Sequence, residues 1–212
     1  MMTEEEVKAV LETDFGVPRE TMARLERFAE LLRAANADQN LVSAASLDHL
    51  WERHFLDSAQ LIRFAPDPQA SWVDLGSGAG FPGMVVALLH PGPVALVEER
   101  RLRVDFLRDV AAALGLRVEI VGARVERLDP RPFDVISARA FAPLDRLLDL
   151  GTRFSTTNSV WILPKGRNAQ SELEALESSW QGEFRLEPSL TDAEARIIVA
   201  TGVHRKAKRK SS

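Results

Sequence analysis

Neither cysteine nor tyrosine occurs anywhere in the 212-residue chain. Without cysteine there are no disulfides, no thiolate metal ligands and no cysteine nucleophile, and the cytoplasm becomes the expected compartment. Without tyrosine there is no Tyr–Lys couple of the kind a nicotinamide-dependent oxidoreductase would use, and no metal site is expected. Long apolar runs are missing too. The least polar stretch, Phe81 to Val97, is broken by Pro82, His90, Pro91, Gly92 and Pro93, so it cannot cross a bilayer as a helix and no membrane insertion is expected. The opening Met1-Met2-Thr3-Glu4-Glu5-Glu6 is acidic where a leader peptide would be basic. There is no internal repeat, and low complexity is confined to the basic end.

What is present supports a packed core: 45% hydrophobic and 27% charged residues, in a length that suits one large domain or one domain with a small appendage. The net charge of −4 is unevenly spread. His204 to Ser212 carries Arg205, Lys206, Lys208, Arg209 and Lys210 without an acid, so the remainder is more acidic than the whole. Such a tail, expected to be disordered, either attracts phosphates without regard to sequence or merely aids solubility.

The first part of the chain reads as helices without strands. Thr3 and Glu6 make a capping box, with Val7, Val10 and Leu11 on one face. Met22, Leu25, Ala29 and Leu32 continue the helical period until Asn36 to Asn40 breaks it, and a third helix is predicted after Ser46, burying Leu47, Leu50, Trp51, Leu61 and Ile62. Pro66-Asp67-Pro68 closes the segment, since proline disfavours helix in the residue before it. From residue 71 onward, β-rich runs alternate with helical ones. Strands are predicted at Ser71–Leu75, Val94–Glu98, Val118–Val121, Phe133–Ala138 and Ser159–Leu163, with helices at Gly83–His90, Arg101–Leu114 and near 143–154 and 168–179. Phe184–Pro188 and Ala195–Thr201 add a closing hairpin pair. The alternation predicts an α/β fold with a mainly parallel, doubly wound sheet of seven strands and helices on both faces. The expected division is an N-terminal helical cap over 1–68, a core over 69–203 and the tail over 204–212.

The densest chemical signal is Trp72-Val73-Asp74-Leu75-Gly76-Ser77-Gly78-Ala79-Gly80-Phe81-Pro82-Gly83. Alternate glycines let the backbone turn sharply and approach a ligand closely, and Pro82 suits a helix entry. A dinucleotide fingerprint wants a third glycine at the sixth position, where this chain has Phe81. Asp-x-Gly-x-Gly-x-Gly resembles instead the first motif of S-adenosylmethionine-dependent methyltransferases. In an open parallel sheet ligands sit beyond the carboxyl ends of the strands, so the other strand ends are informative. Glu98 follows the second strand, about 20 residues past the loop, where an acid either accepts from both ribose hydroxyls or simply favours a helix start. Gly122-Ala123-Arg124-Val125-Glu126 follows the third, as an adenine wall or as a helix-entry turn with a salt bridge. Arg139 follows the fourth, where its fork suits phosphate, carboxylate or a guanine edge, or else a structural ion pair. Lys165 and Arg167 follow the fifth as RNA or substrate contacts. Arg53 and His54 lie on the third predicted helix, where His54 is either a substrate contact or a helix residue paired with Asp57.

Several of these motifs occur together in order: the glycine loop, Arg103-Val104-Asp105-Phe106-Leu107, Arg124-Val125-Glu126, Ile136-Ser137-Ala138-Arg139-Ala140-Phe141, and upstream Asn40-Leu41-Val42-Ser43 and Arg53-His54-Phe55-Leu56-Asp57-Ser58. Over about residues 36 to 166 the chain resembles the bacterial glucose-inhibited division protein B family, small-subunit (16S) ribosomal RNA guanine-N7 methyltransferases. The resemblance implies a Rossmann-like class I methyltransferase fold and S-adenosylmethionine as cofactor. It implies cofactor contacts from Gly76 and Phe81, with Asp74 and Gly78 in the same loop, from Val125 and Glu126 on the adenine side, from Glu98 at the ribose, and from Arg139, the residue expected to be catalytic. The implied partner is 16S ribosomal RNA, the small subunit or an assembly intermediate, met by a monomer. Guanine N7 bears no proton at neutral pH, so positioning rather than a general base is the expected source of catalysis. A small-metabolite methyltransferase and a non-catalytic RNA-binding factor are the alternatives that share the loop.

Overall fold

The computed structural model describes residues 1–207, and Lys208 to Ser212 of the expected basic tail lie outside the described residues. Helix α1 (Glu4–Asp14) starts as its sequence dictates: Thr3 Oγ1 accepts from the Glu6 amide at 3.2 Å, and the Thr3 amide donates to Glu6 Oε2 at 2.7 Å. Helix α2 (Arg19–Gln39) buries Met22, Leu25, Phe28, Ala29 and Leu32 on one face. It runs through the expected break at Asn36, because that buried side chain accepts from the Val42 amide at 2.8 Å and ties the outgoing chain to the helix. The turn comes at Asn40, in the left-handed region at φ 48°, a conformation asparagine tolerates.

The third helix is not the single regular one predicted. A short α3 (Ala44–Leu47) is followed by a π-helical turn at Trp51–Leu56, then α4 (Asp57–Ala59) and a 3-10 turn at Gln60–Phe64. Leu50, Trp51 and Leu61 are buried as predicted, joined by Phe55 and Leu56, while Leu47 and Ile62 are only half-buried. A change of helical pitch leaves apolar composition untouched, so a period count cannot detect it; such π-turns are frequent at functional sites.

Seven strands form one sheet in the order β3-β2-β1-β4-β5-β7-β6, where β1 is Trp72–Leu75, β2 Val94–Glu98, β3 Glu119–Gly122, β4 Val135–Ser137, β5 Val160–Lys165, β6 Trp180–Pro188 and β7 Arg196–Arg205. All pairings are parallel except those of β7, which runs antiparallel to both β5 and β6. The strand order reverses at β1, which pairs with β2 on one side and β4 on the other. The glycine loop therefore leaves the sheet at its topological switch point. The β6–β7 hairpin is longer than predicted. His204 and Arg205, expected in the tail, end β7, where Arg205 lies 4.6 Å over the Trp180 ring and binds Asp149 at 2.9 Å.

Alternation along the strands fills both faces. Trp72, Leu96, Val135 and Ile162 point into the core shared with the N-terminal helices, α5 (Gly83–Leu89) and α6 (Arg101–Ala113). Val73, Val97, Ile136 and Trp161 point to the other, under α7 (Leu144–Gly151) and α8 (Ala169–Leu176). The N-terminal helices are continuous with the first core: Phe28 stacks on Phe81 at 5.1 Å and meets Phe55 edge-on at 5.4 Å. Arg24 donates twice to the Leu114 carbonyl at the end of α6, at 2.7 and 2.9 Å. Among the described residues no helix is long and apolar enough to cross a membrane.

Candidate active site

The loop after β1 has the backbone its glycines allow. Gly76, Gly78 and Gly80 take φ of 72°, 58° and 96°, left-handed values that a side chain disfavours. The amides of Gly76 and Ser77 donate to the Val97 carbonyl at 2.8 and 3.0 Å, which seats the loop on the end of β2. Gly76 also needs its missing Cβ for space, since an added one would strike the Phe141 ring. Beneath the loop, buried Asp74 accepts from Ser137 Oγ at 2.8 Å and from the Gly83 amide at 3.1 Å, and Ser137 Oγ in turn accepts from Trp72 Nε1 at 2.8 Å. Burial pushes the Asp74 carboxyl above its usual range, against the pull of these hydrogen bonds. This carboxylate knits β1, β4 and the start of α5 together.

A hollow of about 350 Å³ opens at the carboxyl ends of β1 and β2, lined by Gly76, Glu98, Arg103, Val125, Glu126 and Phe141 among others. Glu98 is buried at its floor. Its Oε2 accepts from the Gly78 amide at 2.9 Å and its Oε1 from the Arg100 amide at 2.8 Å, so each oxygen keeps one further acceptor position. The Val125 side chain adds a buried apolar wall, while Glu126 reaches Arg146 at 2.9 Å. Its own backbone amide, together with that arginine, holds the exposed Glu126 carboxyl below the usual range. The chamber has the size of a small cofactor site, a glycine edge that admits close approach, an apolar wall and one buried acid. These features suit a nucleoside joined to a short polar chain, as in S-adenosylmethionine.

A second hollow, about 700 Å³, lies between the π-helical turn and the ends of β4 and β5, walled by Arg53, His54, Asp57, Arg139, Lys165 and Glu172 among others. Arg139 crosses its floor. The guanidinium donates to the Arg53 carbonyl at 3.1 Å and to Asp57 Oδ2 at 3.2 Å through Nη1, and to His54 Nδ1 at 2.7 Å through Nη2. The Phe81 ring lies below, 5.4 Å from the guanidinium and stacked on the His54 ring at 4.8 Å. His54 and Asp57, whose pairing with each other was one of the two readings of His54, converge instead on Arg139. Burial, then the positive charges of Arg139 and Arg53, push His54 down to about 3, so it is a neutral acceptor near pH 7. The expected basic rim is charge-balanced: Lys165 binds Glu172 at 2.8 Å and Arg167 faces Glu194 at 3.6 Å. Only Arg53 of the four cations at this rim lacks an acidic partner among the described residues.

The structure thus gathers Gly76, Glu98, Val125 and Glu126 around the first hollow and Arg53, His54, Arg139 and Lys165 around the second. Asp74 and Phe81 line neither. Asp74 faces inward to hold the loop, and Phe81 packs beneath Arg139 and His54, while Gly78 contributes its amide to Glu98. Arg167 stands outside the wall of the second hollow. Sequence reasoning overlooked Ala140, which lines both hollows and takes φ 51°. It also missed Phe141 as the ring over Gly76 and Asp57 as the acid of Arg139. The available signal was the continuity of Arg139-Ala140-Phe141 past a buried strand, three residues long enough to serve both chambers.

A profile of the family described as rRNA small subunit methyltransferase G matches residues 21–196. The ribosomal RNA small subunit methyltransferase G of Rhizorhabdus wittichii is 53% identical over 98% of this chain and 96% of that protein. The protein of the same name from Zymomonas mobilis is 48% identical, over 97% of this chain and 96% of its own length. Among solved structures, a SAM-dependent methyltransferase from Aquifex aeolicus superposes with a TM-score of 0.57 at 15% identity, covering 77% of this chain and 95% of that one. A putative S-adenosyl-L-methionine-dependent methyltransferase from Methanococcus maripaludis gives 0.56 at 12% identity, covering 72% of this chain and 86% of its own. At such identities the two structures speak for the fold.

Proposed function

Because the chain belongs to the rRNA small subunit methyltransferase G family, we propose that it methylates N7 of a guanine in 16S ribosomal RNA, with the cofactor in the first hollow and the target base in the second. Family membership makes it a methyltransferase that uses S-adenosylmethionine. One observation carries the assignment of the chambers: they open side by side at the carboxyl ends of the strands and share Ala140 as their common wall.

In this reading Gly76 leaves room for the methionine chain, Glu98 accepts from the ribose, and Val125 and Glu126 flank the adenine. The segment 1–68 contributes Arg53, His54 and Asp57 to the base chamber, and the core from residue 69 holds the cofactor. Bound S-adenosylmethionine supplies an electrophilic methyl on a sulfonium, so the protein's task is alignment. Guanine N7 carries a free lone pair and no proton, which leaves no step for a general base. Arg139 lines the second chamber next to the shared Ala140 with donors for an oxygen acceptor, Asp57 balances its charge, and Arg53 faces outward for the RNA backbone. Mixed donors and acceptors in the second chamber match guanine, whose edges present both. N7 is shielded within an RNA duplex, so an unstacked or extruded base is the form that fits.

The test is methyl transfer from labelled cofactor to unmodified small-subunit RNA, and separately to subunits, with the product nucleotide mapped by mass. N7-methylguanosine is the expected product; another methylated nucleoside would overturn the base assignment.

A further inference from the structure

We propose that His54 is a positioning residue of the methyl transfer: its neutral imidazole accepts the Arg139 guanidinium on Nδ1 and, with Asp57 and the Arg53 carbonyl, fixes that fork in the second chamber, one residue before the Ala140 that both chambers share. This rests on the reading of the chambers given above, and it assigns to His54 an action through Arg139 rather than contact with the RNA.

The donor count supports it. A guanidinium has five N–H donors, and three are committed here, to Arg53 O, Asp57 Oδ2 and His54 Nδ1. The remaining two, Nε–H and one Nη2–H, have no partner among the described residues. Their direction is set by the three bonds that hold the group. His54 matters most among these partners because its Nη2 bond is the shortest, at 2.7 Å, and constrains the nitrogen that also bears a free donor. The Asp57 anchor is itself braced, its Oδ1 accepting from Gln60 Nε2 at 3.0 Å and from Thr191 Oγ1 at 3.1 Å. Stacking on Phe81, which is stacked in turn on Phe28 of α2, fixes the plane of the imidazole.

Accepting on Nδ1 requires the proton on Nε2. That atom is buried without a partner among the described residues, so no competing bond in the structure draws the ring toward the other tautomer. The charged groups lining its chamber are Glu52 and Arg53 on its own turn, Asp57 at the start of α4, Arg139 from beyond β4 and, across the chamber, the Lys165–Glu172 pair, Asp192 and the Met1 amine. Burial, and after it the cationic Arg139 and Arg53, keep the ring uncharged. A charged imidazole would have no lone pair to offer and would repel the guanidinium. The π-turn matters for the same reason, because it and the start of α4 that follows it place the Arg53 carbonyl, His54 and Asp57 around one guanidinium.

Three variants separate positioning from mere packing. Asparagine carries an acceptor oxygen where His54 has Nδ1, glutamine carries it one bond farther out, and leucine has none. Single-turnover methylation of small-subunit RNA at saturating cofactor is expected to slow by about 10- to 100-fold in His54→Leu and His54→Gln, the scale of one lost charge-assisted bond, and to recover to within about threefold of wild type in His54→Asn. Wild-type speed in His54→Leu overturns the proposal, and so does an asparagine variant as slow as the leucine one. Should the leucine variant unfold, the asparagine–glutamine contrast still decides. Nitrogen NMR of the wild-type imidazole gives a readout independent of turnover: an Nε2-protonated neutral ring from pH 8 to 5 is expected, and ordinary titration near 6.5 overturns the proposal. If the wild type methylates no ribosomal RNA while this signature is present, it is the functional reading that falls, and the Arg139–His54 arrangement stands.

Discussion

At the scale of single residues, half-buried His54 and fully buried Asp74 respond to acid in opposite directions. His54 holds its proton only below about pH 3 when folded, against 6.5 when exposed. Between those values the unfolded chain binds a proton that the folded chain refuses, so stability falls as pH falls, by about 1.4 kcal/mol per pH unit over the window. Asp74, raised by burial, takes its proton earlier in the folded state and gains stability on acidification through its own range. Urea unfolding at pH 7 and pH 5 on the wild type and on His54→Asn separates the two. The variant keeps Asp74 and is expected to lose most of the slope. Asp74→Ala is a different case, because it strands the Ser137 hydroxyl and the Gly83 amide in a buried place. It is expected to cost about 3 kcal/mol in the same measurement. Asp74 was legible as a functional position from its place before the glycines. Its inward direction was not, because that depends on Ser137, from another strand.

At the scale of elements, the glycine loop shows how backbone strain and space can be separated. Gly76 and Gly115 both have positive φ, but a side chain on Gly76 meets Phe141 while one on Gly115 meets nothing within 4 Å. Gly115→Ala is expected to cost only about 1 kcal/mol of stability and to leave S-adenosylmethionine affinity unchanged. Gly76→Ala carries the same strain and also pushes Phe141 within the cofactor chamber. At least a tenfold loss of affinity by calorimetry is expected, roughly the effect of 1.4 kcal/mol. The loop, β2 and α6 were read from sequence nearly to the residue, since glycine spacing and a two-sided apolar strand are local signals. The turn at Trp51–Leu56 was not. Its pitch is decided by what it packs against and by the guanidinium it surrounds.

At the scale of the whole molecule, the N-terminal helices and the sheet share one apolar core through Phe28, Phe55 and Phe81. Phe28→Ala is expected to destabilise the protein by about 3–5 kcal/mol and to do so in a single cooperative transition, with calorimetric and van't Hoff enthalpies equal. Two separate transitions would mean that the segment to Pro68 folds apart from the rest. The shared core also holds the π-turn over Arg139, so the second chamber depends on packing far from its own wall. Its charge balance has a consequence for RNA binding. With Arg139 and Lys165 each facing an acid inside the chamber and Arg167 facing one outside it, the proposed binding of RNA there would rest on paired donors and acceptors rather than on net attraction.

By itself the sequence determined the order of strands and helices along the chain, the glycine loop at the end of β1 and the acid at the end of β2. These follow from apolar period and from the backbone freedom of glycine, which act over a few neighbouring residues. Which side chains meet across the sheet was decided only in three dimensions. Arg139 is separated from His54 by 85 positions and Lys165 lies beside Glu172 on the next helix; whether such groups face a ligand or neutralise one another depends on distances and burial that no local pattern records. The fold, driven by burying both faces of one sheet, sets Arg139 and Lys165 against Asp57 and Glu172 in a braced, largely charge-paired chamber beside the hollow at the glycine loop.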